Sequence, residues 1–464
     1  MDYSDEECVT EAIKFLDYAK LFFRNHDIDT ALTAYEMIFN IFENSEYYES
    51  EYFIYGFSFD EAIEAEFLRE HKTNYLRCLY LASSQAQDFK KVYAKLIHEQ
   101  NIFLSDVIEI SRDPLPHLDQ FIDGFIEFIG DNAKFDSHLA DILFLKGKAS
   151  VKEFAYKNGH KHPSIFLFYY ESIKEESSQS DIAKTILDGI KIIPEQYIIR
   201  SYLGLDLIDI ASSLNDKESL TIGYGTAFYS NPTLENFGHY ANYIVYEIKL
   251  PEIEKLRAYL ENHHVTQSDS YYSSAQRNIY STATAVVNNK AVIIGKYLFE
   301  KIDTLIKYIN PNDFLGFSAS KKYVAVILAL TLKAIVKGNS ATAVNQLLDH
   351  YCLNVQSSEY SLLKSLIDDR ARNIEMSKQS VANTLKRIES LAVNRVSHIL
   401  GQKLRGGYDS ACLLLVACAE VEQIELNCGN ELIRRIDNEF KRFTAFRRSL
   451  KSLTASSKIL FSVK

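Results

Sequence analysis

The chain has 464 residues, of which 47% are hydrophobic and 24% are charged, and its formal net charge at pH 7 is -11. This composition excludes an intrinsically disordered protein, which combines few apolar residues with a high net charge. The chain is also too long for one compact core. We therefore expect either two or three domains or an elongated array of repeats.

The first predicted elements are two amphipathic helices that form a pair. Apolar residues of the first helix recur at spacings of three and four: Ala12, Phe15, Leu16, Ala19, Phe22 and Phe23. The second helix begins near Asp29, and its apolar stripe consists of Ala31, Tyr35, Ile38 and Phe42. A small residue opposite a bulky one allows two helices to approach closely. The pair resembles a tetratricopeptide-type repeat.

A tyrosine-rich stretch at about residues 45–59 interrupts this pattern and predicts an ordered insertion. Asp60 is expected to cap a long helix that runs to about Ser84. Shorter helices follow, one from Asp88 to His98 and one ending near Arg112. Pro114 and Pro116 then break the helical pattern.

The middle of the chain has a regular rhythm of helices. We predict them at about residues 117–130, 135–146, 149–158, 163–176, 180–192, 195–213, 216–230 and 234–248. Pro163 suits the first turn of its helix, where its missing N–H would have no partner in any case. Two of these helices have the same form, since each ends at a proline, Pro194 or Pro232. This regularity predicts an α-solenoid of stacked antiparallel helix pairs.

Residues 263–274 are rich in Ser, Asp and Gln and carry no apolar period, so they are the predicted linker between two lobes. The N-terminal lobe would span residues 1–262 and the C-terminal lobe residues 275–464. Helices of the second lobe are predicted at about 275–288, 290–309, 319–337, 340–352, 358–377, 379–400, 407–427 and 429–451. No strand is predicted, because no sustained alternation of apolar and polar residues is present.

Six stretches, in this order along the chain, resemble one family. They are NYLRCLY (74–80), SRDPLPHLD (111–119), GHKHPSIFLFYY (159–170), YSNPTLEN (229–236), and GYDSACLLLVACAEV with FKRFTAFRRSLK (407–421 and 440–451). They are similar to the helical-repeat region that follows a SWIM-type zinc finger in a group of bacterial proteins. The zinc signature of that family, C-x-C followed by C-x-H, is absent. The resemblance therefore implies a helical fold, and the metal binding or nucleic-acid role of that zinc finger is not carried over to this chain.

Known signatures of chemistry are also missing. Cys412 and Cys418 are six residues apart on a helix, so they face different sides, and His160 and His162 flank a turn, as surface or boundary histidines would. The six cysteines are expected to be reduced thiols, most of them buried. Gly223 and Gly225 lie within a helical pattern, which indicates a close helix crossing or a kink rather than a phosphate loop. We expect no cofactor and no metal.

Charge is unevenly distributed. Residues 1–70 contain 18 acidic and 4 basic residues, whereas residues 429–464 contain 3 acidic and 9 basic residues. The last predicted helix, FKRFTAFRRSLKSL, has Phe440, Phe443, Phe446 and Leu450 on one face and basic residues around it. Its candidate partner-binding residues are Arg442, Arg447, Arg448 and Lys451. The alternative is a terminal capping helix with a polar outer face.

Together these patterns predict a non-enzymatic scaffold or adaptor that binds another protein through its helical-repeat surface. Two alternatives remain open. One is a nucleic-acid-associated protein that uses the basic C-terminal helix, and the other is an enzyme with an unrecognised site in the insertion or between the lobes. The acidic N-terminus and the lack of a long apolar run predict a cytoplasmic protein without a transmembrane segment.

Overall fold

The computed structural model describes residues 3–45, 49–50, 53–54, 58–99, 101–263, 287–310, 312, 323–337, 341–352 and 358–460. The predicted all-α class is confirmed, since 24 α-helices account for most of these residues. A short antiparallel pair of strands, β1 (Glu49–Ser50) and β2 (Phe53–Ile54), is the exception. It lies in the predicted insertion, most of which is outside the described residues.

The chain divides into two compact units, Met1–Pro194 and Glu195–Lys464. The helices of unit 1 are α1 (Tyr3–Arg24), α2 (Ile28–Ser45), α3 (Phe59–Ala62), α4 (Ala65–Ala86), α5 (Lys90–His98), α6 (Leu104–Glu109), α7 (Leu118–Ile129), α8 (Asp136–Leu145), α9 (Lys148–Asn158), α10 (Pro163–Ile173) and α11 (Gln179–Ile192). Most of them pack against their neighbours in sequence. This order is typical of stacked helix pairs.

Unit 2 begins with α12 (Ile198–Leu214), α13 (Lys217–Ser230), α14 (Leu234–Tyr246), α15 (Leu250–Asn262), α16 (Asn289–Phe299) and α17 (Asp303–Ile306). It continues with α18 (Tyr323–Val336), α19 (Thr342–Tyr351), α20 (Ser358–Asn373), α21 (Lys378–Gly401), α22 (Tyr408–Leu426), α23 (Gly429–Glu439) and α24 (Thr444–Ser456). Helix α22 has buried residues on all sides, most of them apolar, and it packs against α18, α19, α21, α23 and α24. The C-terminal half of this unit is therefore a bundle around one buried helix, and a continuous solenoid stays a prediction.

The boundary between the units differs from the predicted lobe boundary. The predicted linker, residues 263–274, lies outside the described residues except for His263. Side chains on both sides of it, such as Phe237 and Leu260 before it and Ile294 after it, share one apolar core. Helices before this segment thus fold with helices after it. A change in local composition could not reveal this, because packing joins residues far apart in sequence.

Most predicted helices of the regular middle begin and end within about three residues of the observed ones, as is usual for helix ends. Four differences are larger. The helix predicted at 290–309 is two helices, α16 and α17, separated by residues 300–302. Helix α15 was not predicted, and Pro251 lies in its first turn. The long helix predicted from Asp60 is split into α3 and α4 at Ile63 and Glu64. The helix predicted at 429–451 is two helices, α23 and α24, joined by a turn at residues 440–443.

Helix α18 is the most apolar helix, but its 14 residues are fewer than the roughly 20 that span a bilayer. Among the described residues, no helix combines the length and the apolar character that a membrane crossing requires.

A buried ion pair joins three helix ends in unit 1. His162 Nδ1 lies 2.7 Å from Asp136 Oδ1, and its Nε2 lies 2.8 Å from the carbonyl oxygen of Gly130, just past α7. Asp136 begins α8, and its second oxygen accepts the backbone N–H of Ser164 in α10. Both residues are buried. His162 thus lies at a helix boundary, directly before α10, as one of the two expected placements has it, but it is not a surface histidine.

Both ring nitrogens of His162 face acceptors, which favours the doubly protonated ring. Burial by itself would lower the pKa of His162, but the hydrogen bond and charge of Asp136 together with the Gly130 carbonyl raise it above its usual value. The pair is therefore a charged link between α7, α8 and α10.

Side chains distant in sequence also form hydrogen bonds with the backbone groups at other helix ends. The buried guanidinium of Arg77 donates to the carbonyl oxygens of Val107 (2.8 Å) and Asp113, and so serves the end of α6 and the turn after it. In unit 2, Glu420 Oε2 accepts the backbone N–H groups of Ala343 (2.8 Å) and Val344 (3.3 Å) at the start of α19. Helix α19 has no side-chain cap of its own. Glu420, 77 residues away from Ala343, supplies that cap.

Helices α12 and α13 cross closely at two glycines. A Cβ at Gly204 would lie 2.8 Å from the backbone nitrogen of Ala227 and 2.9 Å from the carbonyl oxygen of Gly223, which leaves no room for a side chain. A Cβ at Gly225 would meet only ordinary contacts, the nearest at 3.8 Å. The close crossing predicted from the glycine pair is thus confirmed at Gly223 and does not involve Gly225.

This difference gives a matched pair of substitutions. Gly204→Ala is expected to lower the free energy of unfolding of unit 2 by about 1–3 kcal/mol, because the two helices must separate. Gly225→Ala is expected to raise it by up to ~1 kcal/mol, since alanine favours a helix and fits here. Chemical denaturation monitored by circular dichroism measures both. Equal effects of the two substitutions would contradict the close crossing.

The buried pair in unit 1 gives a second prediction. Asp136→Ala should lower the free energy of unfolding by about 3–5 kcal/mol at pH 6, because it leaves a buried charge without its partner. Since the pKa of His162 is raised in the folded state, its contribution is complete below the unfolded value of about 6.5 and is lost as pH rises through the folded pKa.

The control is Asp131→Ala, which removes the exposed ion pair with Lys161 (2.8 Å) beside the same turn. Exposed pairs contribute little, so this variant should unfold like the wild-type protein. A small effect of Asp136→Ala at pH 6, or one that grows between pH 6 and pH 9, would show that the buried pair does not have the charged form described.

Candidate protein-interaction surface

The first helix pair of unit 1 is a rigid platform. Helix α2 buries Ala31, Tyr35, Ile38 and Phe42, as its predicted stripe requires, against Leu16 and Ala19 of α1. The pair rests on α4, where the Tyr35 hydroxyl lies 3.2 Å from His71 Nδ1. Burial and the nearby charge of Lys20 lower the pKa of His71 to about 4. The ring is therefore neutral at neutral pH.

Both helices of this pair expose large apolar side chains. Phe15, Tyr18, Leu21 and Phe22 of α1 and Met37 and Ile41 of α2 are between 37% and 64% exposed. We call these six residues the exposed apolar face. At 100° per residue, the four α1 residues fall within one arc of about 120° on the side away from Leu16 and Ala19. They therefore form a continuous stripe along α1.

This face differs from the sequence expectation in one respect. Phe15 and Phe22 belong to the predicted packing stripe of α1, yet both are exposed. The apolar arc of α1 is wider than the surface that α2 and α4 cover. Helical periodicity predicts which residues are apolar on one side, but it does not say how much of that side finds a neighbour. Large exposed apolar surfaces of this kind commonly mark interaction sites.

The charges around this face are mainly acidic. Within described residues 7–43 there are seven acidic and three basic side chains. Two of the basic ones are engaged locally, Lys14 with Glu11 (2.7 Å) and Lys20 with Glu70 on α4 (2.6 Å). Asp17 and Glu36 remain exposed beside the pair. The electrostatic complement of this surface is a basic one.

The four basic residues predicted to bind a partner do not share one helix face. Arg442 lies in the turn before α24, Arg448 is exposed on α24, and Lys451 is half-buried. Arg447 forms a two-point ion pair with Asp437 of α23, with N···O distances of 2.6 and 2.7 Å. Arg447 therefore holds α24 against α23. That these four residues bind a partner stays a prediction.

The apolar side of the same region is mostly internal. Phe446 and Leu450 of α24 are buried, while Phe440 and Phe443 are partly buried in the turn rather than on a continuous helix. The predicted amphipathic helix over 440–453 is wrong at its first turn. The short spacing of the phenylalanines is compatible with either a helix or a turn. In the structure, Phe440 and Phe443 contact the core of unit 2 from a turn.

The buried cysteines are structural. Cys78, Cys352, Cys412 and Cys418 are buried, and burial raises the pKa of each thiol, that of Cys78 to about 12. Such thiols stay protonated and are poor nucleophiles. The described part of the chain contains no group of three or more His, Cys, Asp or Glu side chains placed to hold a metal ion.

Comparison with known proteins gives no family. No protein-family model matches the chain, and no curated protein sequence matches it significantly. The resemblance to SWIM-associated helical regions therefore stays a prediction.

The Arg447 pair gives a third testable prediction. Arg447→Ala should lower the melting temperature by a few degrees, because Asp437 is nearly buried and loses two charge-assisted hydrogen bonds. Arg448→Ala removes the same charge from the adjacent position, where no ion pair is present among the described residues, and should leave the melting temperature unchanged. Differential scanning calorimetry compares the two variants. Equal melting temperatures would argue against a structural role for Arg447.

Proposed function

We propose that this protein is a non-enzymatic scaffold that binds another protein, and that the exposed apolar face of α1 and α2 is its docking surface. The observation that supports this most directly is the exposure of six large apolar side chains on one helix pair whose core is otherwise well packed. Covering such apolar surface with a partner is favourable by roughly 25 cal/mol for each Å² removed from water.

The proposed occupant is a basic amphipathic helix of a partner protein. Its apolar side would contact Phe15, Tyr18 and Phe22, and its basic side would face acidic residues such as Asp17 and Glu36. Aromatic side chains are frequent anchors in protein interfaces, since they bury much area and lose little conformational freedom. The acidic excess of the surrounding surface favours a basic partner over an acidic one.

The cytoplasm is the proposed compartment. The six cysteines among the described residues form no disulfide, which is usual for proteins of reducing compartments. The nucleic-acid alternative has less support, because Arg447 is engaged with Asp437 and the predicted basic helix is interrupted before α24.

Photo-crosslinking tests the docking surface. A photoreactive amino acid in place of Tyr18, in the full chain expressed in its native cells, should crosslink to a partner. The same amino acid at Leu404, an exposed position of unit 2, is the control position and should not capture that partner. The partner is then purified, and its affinity is measured by isothermal titration calorimetry.

The variant Phe15→Glu/Tyr18→Glu should weaken this affinity at least about tenfold, since two aromatic anchors are lost. The control Leu404→Glu/Leu426→Glu changes two other exposed apolar residues to the same charge and should bind normally. Both variants should melt like the wild-type protein. Unchanged binding of the first variant, an equal loss in the control, or capture only of a second copy of the chain would overturn the proposal.

A further inference from the structure

Unit 2 contains a polar cleft of about 540 Å³ whose lining is strongly basic. It lies among α18, α19, α20 and the segment that follows α24. Five cationic side chains line it: Lys333, Lys337, Lys364, Arg372 and Lys458. Only two acidic side chains do so, Asp349 and Asp368. The lining thus carries a formal charge of +3, in a chain whose net charge is -11.

Local ion pairs account for only part of this charge. Lys364 lies 2.7 Å from Asp349, and Arg372 lies 2.7 Å from Asp369, outside the lining. Lys337 and Lys458 form no ion pair within the described ranges of the chain. Two cations of the cleft are therefore available to an anion.

Lys333 is a charged residue at a position where an apolar side chain would stabilise the fold at least as well. It is the one charged residue of α18, whose other side chains are almost all apolar, and it is buried. Its Nζ lies 2.6 Å from Asp368 Oδ1, an ion pair by distance, although the two groups are not aligned as a hydrogen bond. It also donates to Asn345 Oδ1 at 2.9 Å. Only the Lys333 partner of this pair is buried. Burying a charged group is unfavourable compared with apolar packing of the same volume, so the position of Lys333 at the cleft favours a role in binding.

The start of α19 adds polar groups but not free backbone donors. Thr342, Asn345 and Gln346 line the cleft with a hydroxyl and two amides. The N–H groups of Ala343 and Val344 are already bonded to Glu420. Binding in the cleft therefore depends on side chains and not on the end of the helix.

We propose that this cleft binds a small phosphate-bearing anion with at least two negative charges. Its volume is in the range of small-molecule sites. Lysine and arginine are the usual phosphate ligands, and amides and hydroxyls can complete the hydrogen bonds. Among the described residues, the lining contains no aromatic side chain, so it offers no ring on which a base would stack. The cleft lies in unit 2, so this proposal is independent of the docking surface of unit 1.

Inorganic pyrophosphate is the probe. Isothermal titration calorimetry of the full chain at low ionic strength should show saturable binding of pyrophosphate, and sulfate or chloride at equal ionic strength should bind much more weakly. The affinity should fall as salt is added. No saturable binding, or equal binding of sulfate, would overturn the proposal.

The cleft variant is Lys337→Gln/Lys458→Gln, which removes the two available cations without breaking an ion pair. It should bind pyrophosphate at least about tenfold more weakly and melt like the wild-type protein in its absence. The control Lys378→Gln/Lys441→Gln makes the same charge change at exposed positions of unit 2 and should bind normally. Equal losses in the two variants would overturn the proposal. Tighter binding of a short single-stranded RNA, lost in the same cleft variant, would overturn the small-anion assignment in favour of nucleic acid.

Discussion

The backbone groups at the ends of buried helices must find hydrogen-bond partners, and much of this structure depends on how they do so. Each helix leaves four N–H and four carbonyl groups unsatisfied within itself, and only some helices here have a local cap. At several helix ends without a local cap, charged side chains from distant helices form hydrogen bonds with the backbone N–H or carbonyl groups. Asp136 accepts from the start of α10, Glu420 caps α19, and Arg77 donates to the end of α6. Arg370 donates to the carbonyl oxygens of Tyr297 and Glu300 at the end of α16. Each link fixes one helix relative to another, which apolar packing alone does less specifically.

The contacts of each charged side chain show whether it stabilises the fold or can bind a ligand. Arg447 is engaged with Asp437, whereas Lys337 and Lys458 have no ion pair among the residues that the structure describes. Sequence composition treats all three as equal positive charges. Their contacts assign the first to stability and leave the other two for a ligand, which is why the anion proposal rests on the cleft and not on the basic C-terminal end.

Apolar side chains also fall into two groups, those that neighbouring helices cover and those that stay exposed. Helix α22 carries apolar side chains on every side, and the five helices that pack against it bury most of them. The apolar arc of α1 is also wide, yet its neighbours leave Phe15 and Tyr18 exposed. Removal of apolar area from water stabilises the core around α22. The exposed apolar area of α1 would be removed from water only when a partner binds. The two proposed sites thus use different chemistry in different units.

Local sequence patterns were enough to predict the all-α class, the positions of most helices, the first-turn place of Pro163 and the close crossing at Gly223, because these depend on local periodicity and backbone sterics. The packing of distant helices had to be known to see that His162 is buried, that Phe15 is exposed, that Glu420 caps a helix 77 residues away and that five cations meet in one cleft. Periodicity repeats over a few residues and shows which side of a helix is apolar. It carries no information on which distant helix covers that side, and both the docking surface and the cleft depend on that choice.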